Sequence, residues 1–253
     1  MTYTEAALIV VGTGCAAAGL ALLVRRKVHI EALRRHHEIG SAVFLQMGVV
    51  FAVLLAFVFN QVWNEYNAAD EAIARESADL RIAALLADNL PRAAQESTKA
   101  LIMAYISSVI LYEWPDMEQR HSSQRAENQL RQLALGVTRL PMSDPEEAQT
   151  RNEIAILLRS AGQQRQTRLF QMNAGLPPAL WFMLLTFSVT LTGFLFFFGI
   201  DNVVSQMTFT GVFAGGLAML FAILKMLDYP FEGAMRLSPQ AFQQTLDHLR
   251  AMM

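Results

Sequence analysis

The sequence predicts an all-α membrane fold: four transmembrane helices, with a helical extramembrane bundle inserted between the second and third spans. Three observations carry this reading. Of the 253 residues, 53% are hydrophobic and only 17% are charged, against about 25% charged in a soluble domain. Four apolar runs are each long enough to cross a hydrocarbon core of ~30 Å at ~1.5 Å per residue. Between the second and third runs charges return, and apolar residues recur at helical spacing.

The first run, 6–24, is uncharged, rich in glycine and alanine, and ends at Arg25-Arg26-Lys27. No Lys or Arg lies within Met1 to Glu5, so it is read as a retained span and not as a signal peptide, which opens with positive charge. The second run, 41–59, continues to Trp63. The third is 179–200 and the fourth 207–227, with 201–206 as a short turn that makes them a hairpin. A soluble core helix of such length carries a polar face, and none of the four does. The expected organisation is 1–63 for the first two spans and their basic loop, 64–178 for the helical domain, 179–229 for the hairpin, and 230–253 for a C-terminal tail.

Within 64–178, Pro91, Pro115, Pro141 and Pro145 mark helix starts, where a missing N–H is harmless. Residues 64–89 are expected to continue the second span, with an apolar stripe of Ile73 and Leu80 beside Ala69 and Ala72. A helix from Pro91 to Tyr112 places Leu101, Tyr105, Ser108 and Tyr112 on one side. A third covers 115–140, interrupted at 121–123. Ser143-Asp144-Pro145-Glu146 is a helix start signal, and its helix carries Ile154, Leu157, Leu158 and Phe170. Gly175-Leu176-Pro177-Pro178 ends it.

Composition excludes several function classes. A net charge of −2 with no basic motif gives nucleic acid no footprint. The single cysteine, Cys15, permits no internal disulfide and no cysteine metal site. His36-His37 point to different helix faces, so no metal is expected. There is no phosphate loop, nucleophile elbow or His-Glu-x-x-His. No enzyme activity, cofactor or catalytic residue is expected.

Charge also bears on orientation. Arg25, Arg26, Lys27, Arg34 and Arg35 crowd one short loop, and such loops stay cytoplasmic. The expectation is a multi-pass protein of the cell inner membrane, with loop 25–39 cytoplasmic and the helical domain extracytoplasmic.

Several residues together resemble a known family. Trp63-x-x-Tyr66 precedes an Ala-rich helix containing Glu76. Glu113-Trp114-Pro115, Leu176-Pro177-x-x-Leu180-Trp181, Asp228-x-Pro230-Phe231-x-Gly233 and Ser238-Pro239 follow in order. Across 48–242 this pattern resembles the bestrophin-like family of bacterial membrane proteins, itself similar to the bestrophin anion channels. The resemblance implies a ring-shaped homo-oligomer in the lipid bilayer, small inorganic anions as permeants, and an apolar neck lined by the second helix of each subunit. It also implies a cytoplasmic helical domain, opposite to the charge argument. Glu232 interrupts the Pro-Phe-Gly loop of bestrophins, and the acidic calcium clasp that follows that loop is absent here.

The candidate residues form three groups. Gln46, Val49, Val53, Phe57 and Asn60 share one face of the second span, with polar ends around an apolar middle that suits a dewetting constriction or packing against a neighbouring helix. Asp228, Pro230, Phe231 and Gly233 form a fixed turn or a ligand site. Glu76 on a buried stripe needs a cation, and Arg165 and Arg168 are candidates beside Arg81. Lys225 is expected to pair with Asp228 or to reach the interface. Gly211-x-x-x-Gly215 is expected to pack the third and fourth spans tightly together. An ion channel is the leading functional reading. The alternative is a non-conducting sensor or scaffold whose helical domain binds a protein partner.

Overall fold

The structure, a computed structural model, describes residues 1–27, 37–142, 144–198, 200 and 202–251. Most of the basic loop 25–39, together with Ser143 and Asp201, lies outside the described residues. Among those described, every regular element is helical. The chain divides into two compact units: Met1–Asn64 with Gly175–Asp228, and Glu65–Ala174 with Tyr229–Met253.

The first unit holds the four helices long and apolar enough to cross a membrane. These are α1 (Tyr3–Lys27), the first part of α2 (His37–Leu86), α7 (Pro178–Phe196) and α8 (Val203–Leu227). Helix α2 is a single 50-residue helix, about 75 Å long at 1.5 Å per residue. Helices α1 and α8 run antiparallel and touch through backbone. A Cβ placed on Gly14 would stand 3.0 Å from the Gly211 carbonyl oxygen, and one on Gly211 would stand 3.0 Å from that of Gly14. Gly215 faces Val10 in the same way. The Gly211-x-x-x-Gly215 face therefore packs on α1, not on α7 as the hairpin reading expects. The reason is geometric: α1 offers a matching glycine, whereas nothing lies within 4 Å of a Cβ on Gly193 of α7. Apolar area gives helices no drive to associate in lipid, so close approach of backbones decides the pairing.

Rings hold α2 in place. Phe44 meets Phe198 edge-on at 5.2 Å and Phe194 at 6.5 Å, and Phe51 stacks on Phe187 at 6.3 Å. The pairing of 44 with 194–198 and of 51 with 187 makes α2 and α7 antiparallel. Asn202 caps the start of α8, its side chain accepting from the Val204 N–H at 2.9 Å. At that end Arg25 donates to Gln206 at 3.0 Å and to the Ile200 carbonyl.

The second unit packs the remainder of α2 with α3 (Arg92–Ser108), α4 (Trp114–Met117), α5 (Gln124–Thr138), α6 (Pro145–Asn173) and α9 (Gln240–Ala251). Ala69, Ala72, Ile73 and Leu80 are all buried. The expected third helix is two, α4 and α5, separated where Arg120 adopts φ 60°. Asp144 caps α6 by accepting from the Glu146 N–H at 3.1 Å. Within 230–253, set apart in the sequence as a tail, α9 buries Phe242, Leu246 and Leu249 in the core. Ser77 of α2 and Thr245 of α9 share a hydrogen bond at 2.8 Å.

Between α3 and α4, Val109–Glu113 forms a π-helical turn, closed by the Trp114 N–H on the Val109 carbonyl. Pro115 accounts for it: proline has no N–H, and its ring collides with the carbonyl four residues back. The turn inserts one residue into the helical repeat. Tyr112 was expected on the inward stripe. It is instead 38% exposed, and Glu113 takes the inward position, fully buried.

Candidate functional site

Two arrangements are candidates, one in each unit. In the first unit the inward side of α2 is set by Phe51, Val58 and Val62, all buried. At 3.6 residues per turn these three fall within roughly 40° of one another. Gln46, Val49, Val53, Phe57 and Asn60 gather on the opposite side of the helix, and all five are exposed. Phe57 is the most open of the apolar three at 72%. The protomer therefore leaves uncovered a face with polar ends and an apolar middle.

The second arrangement is a buried charge cluster where α2, α3, the π turn and α6 meet. The buried stripe of α6 is Ile154, Leu158, Ala161, Arg165, Arg168 and Met172, so two arginines occupy positions that an apolar stripe would assign to leucines. Phe170, read from sequence as part of that stripe, is exposed. Arg168 donates to Glu76 through Nε at 2.9 Å and through Nη2 at 3.2 Å. The same Nη2 reaches Glu113 at 2.7 Å. Arg165 donates to Glu113 at 3.0 Å and 2.6 Å, and also to Glu127. Tyr105 donates its hydroxyl to Glu76 at 2.6 Å. The guanidinium of Arg168 lies 5.4 Å from the Trp114 ring and 5.5 Å from that of Phe242. Glu76, Glu113, Arg165 and Arg168 are all essentially inaccessible to solvent.

The electrostatics follow from burial and pairing. Burial pushes the Glu76 carboxyl above its ordinary range, and Arg168 offsets only part of that. Burial, then the neighbouring Glu76 carboxylate, raises the Tyr105 phenol well above its usual value, so it remains a donor. Burial works against the charge of Arg168, but Glu76 and Glu113 outweigh it and hold the guanidinium above its ordinary value. Burial likewise opposes Arg165, whose bonds to Glu113 prevail. Two buried cations thus face two buried carboxylates, with Glu127 at the rim. The cluster is saturated with its own partners and offers a substrate no open position.

Of the residues expected to pair, Glu76 and Arg168 are in direct contact, and Arg165 joins them through Glu113. Arg81 lies on the far side of α2, lining a separate groove with His248. Glu113, Tyr105 and Glu127 were not anticipated as members. A signal for Glu113 was present in its spacing: Ile102, Ile106, Val109 and Glu113 recur at steps of four, three and four, and all four are buried.

The expected turn divides between the units. Asp228 is buried in the first, where Oδ1 accepts from the Leu176 N–H at 2.7 Å and Oδ2 lies 3.4 Å from Lys225. In the second, the Pro230 carbonyl accepts from the Leu237 N–H at 2.8 Å, and Gly233 has φ 76°. Phe231 is buried edge-on against Trp114 at 5.8 Å. Arg120 stacks on Tyr229 at 3.7 Å and pairs with Glu232, and Arg236 pairs with Glu118. The groups of this segment are engaged with the chain itself. No cluster of metal-ligating side chains occurs among the described residues.

Comparison with known proteins places this geometry. The sequence matches the Bestrophin-like domain over residues 12–242. None of the curated proteins matches it. Among solved structures, two single-residue variants of a bacterial bestrophin homolog from Klebsiella pneumoniae superpose with a TM-score of 0.73 each. Their identities are 15% and 14%; 95% of this chain is covered in both, with 97% and 98% of theirs. A further crystal structure, described only as a membrane protein, superposes with a TM-score of 0.71 at 14% identity, covering 96% of this chain and 98% of that one.

Proposed function

The chain belongs to the Bestrophin-like family, and from that premise we propose that this membrane protein is a homo-oligomeric ion channel whose pore is lined by α2 and passes small inorganic anions. The observation that carries the reading is the uncovered face of α2. Gln46 and Asn60 place amides on it, and polar side chains facing lipid are costly. Repeating that face around a common axis gives the amides water or each other, and brings Val49, Val53 and Phe57 together as an apolar constriction. The anion preference rests on the likeness to bestrophins and on the positive charge of Arg25, Arg26 and Lys27 in the last turn of α1.

In this reading 1–63 and 179–229 form the membrane base, and 64–178 is an extramembrane helical domain inserted between the second and third spans, extended by α9. The basic segment between α1 and α2 places that end in the cytoplasm and the helical domain outside the inner membrane. An impermeant thiol reagent on intact spheroplasts reads the sidedness: Ser122→Cys in a Cys15→Ala background is labelled if the domain is outside and protected if it is cytoplasmic.

The functional test is anion flux from liposomes containing the purified protein, with its mass in detergent. The expected result is flux, a particle of four or more chains, and a changed conductance in Phe57→Ala. Absence of flux together with a monomer or dimer sinks the channel and leaves a sensor or scaffold whose helical domain binds a protein partner.

A further inference from the structure

A groove of about 660 Å³ runs along the first unit between α1, α7 and α8. Its lining extends on α1 from Met1 to Leu20, about 30 Å of helix, which matches the depth of a hydrocarbon core. Ala17, Ala214 and Ala218 form part of its bed. Ser188, buried in the wall, donates to its own helix at the Leu184 carbonyl, 2.9 Å away, so its hydroxyl makes no demand for a polar occupant.

One end differs in chemistry. There Lys225 and Trp181 line the mouth, with the ammonium 5.8 Å from the indole centroid and its side chain 47% exposed. Lys225 pairs with Asp228, whose other oxygen is committed to the Leu176 N–H. The groove thus presents a long apolar channel with a half-exposed cation and an interfacial aromatic at one end. That arrangement is complementary to an anionic head carrying a hydrocarbon tail.

Charge decides between a lipid and a protein segment as occupant. The apolar spans of a second copy carry no carboxylate to set against Lys225, whereas an anionic phospholipid brings a phosphate and a hydrocarbon tail on one molecule. We propose that this groove binds one acyl chain of an anionic phospholipid, with the phosphate at Lys225.

The test uses the full-length protein, equilibrated in vesicles of equal parts phosphatidylglycerol and phosphatidylcholine, extracted gently, and weighed by native mass spectrometry. The wild type is expected to retain about one lipid per chain, with at least a threefold preference for phosphatidylglycerol. Lys225→Gln keeps a bound lipid but loses the preference, and Lys225→Arg keeps both. Ala16→Phe, an exposed lining position, fills the groove and loses lipids of both kinds. Wild-type protein that retains no lipid, or shows no preference, overturns the proposal. So does an unchanged preference in Lys225→Gln, or full lipid retention in Ala16→Phe. The readout is bound mass, so it stands or falls independently of conduction.

Discussion

Replacing Arg168 by methionine removes the cation on which Glu76 depends. Glu76 then keeps only the Tyr105 hydroxyl at 2.6 Å, while Glu113 keeps its two bonds from Arg165. A buried ion pair that loses one partner costs about 3–5 kcal/mol, because the remaining charge has neither water nor a counter-ion. Arg165→Met is the matched comparison. It leaves Glu113 bound to Arg168 at 2.7 Å, and Glu127 is 49% exposed and can turn to water. Its cost should be about half as large. In thermal unfolding of the detergent-solubilised protein at pH 7, where ~1 kcal/mol moves the midpoint ~2–4 °C, Arg168→Met should lower it on the order of 10 °C. The double variant Glu76→Met/Arg168→Met deletes both charges and leaves Glu113 with Arg165, so it should recover most of that loss. Equal, small shifts for Arg168→Met and Arg165→Met would refute the reasoning. So would a double variant as unstable as the sum of its single parts, since coupling in the cluster is the whole content of the argument.

One further prediction concerns the same cluster and another the glycine contact of α1 with α8. The folded Glu76 carboxyl sits above its ordinary value of 4.5, so between the two values the folded state binds more protons than the unfolded one. Stability owed to Glu76 should therefore rise as pH falls through the folded value and level off below about 4.5, and the wild type should gain on Glu76→Gln as unfolding midpoints are compared from pH 8 down to pH 5; a relative loss on acidification has the wrong sign. Gly211→Val should part α1 from α8, because its side chain enters a space where a Cβ already stands 3.0 Å from the Gly14 carbonyl oxygen; a loss of about 1–3 kcal/mol is expected, and Gly216→Val, with nothing within 4 Å, should move the unfolding midpoint little.

The spans were legible because lipid imposes one simple demand, a long uncharged run, and the chain meets it four times. Partner choice among the spans was not legible. Gly211 and Gly215 announce a close contact, but glycine and small hydroxyl residues occur on α1 and α7 alike. Only the assembled unit shows that Gly14 supplies the matching surface. In the second unit Glu76 could be found as an acid on an apolar stripe that needs a cation, with Arg165 and Arg168 as candidates beside Arg81. Glu113 was hard to find because the same stretch offers two helical stripes one residue apart, Leu101, Tyr105, Ser108 and Tyr112 or Ile102, Ile106, Val109 and Glu113, and an acid argues against the second, which is the one buried throughout. Helix α9 carries Phe242, Leu246 and Leu249 at a regular spacing, but a short amphipathic segment after a proline does not reveal what it packs on.

Exposure in the first unit bears on what surrounds it. Only 11% of the most apolar window is buried in α1 and in α2, and 33% in α8, so most of this apolar surface faces outward. Water would penalise it at about 25 cal/mol per Å², and soluble proteins keep such patches to a few hundred Å². Hydrocarbon imposes no such penalty, which explains why α1, α7 and α8 can display Leu8, Val189 and Val212 without a covering layer. The same argument fails for the outward face of α2. There Gln46 and Asn60 are exposed, and an amide in hydrocarbon loses the hydrogen bonds it has in water. A solvent that suits Val53 and Phe57 does not suit the residues at either end of that face. In the proposed homo-oligomer, repetition of the chain about an axis resolves the conflict, since it turns the amides toward water or toward one another while the apolar middle closes on itself.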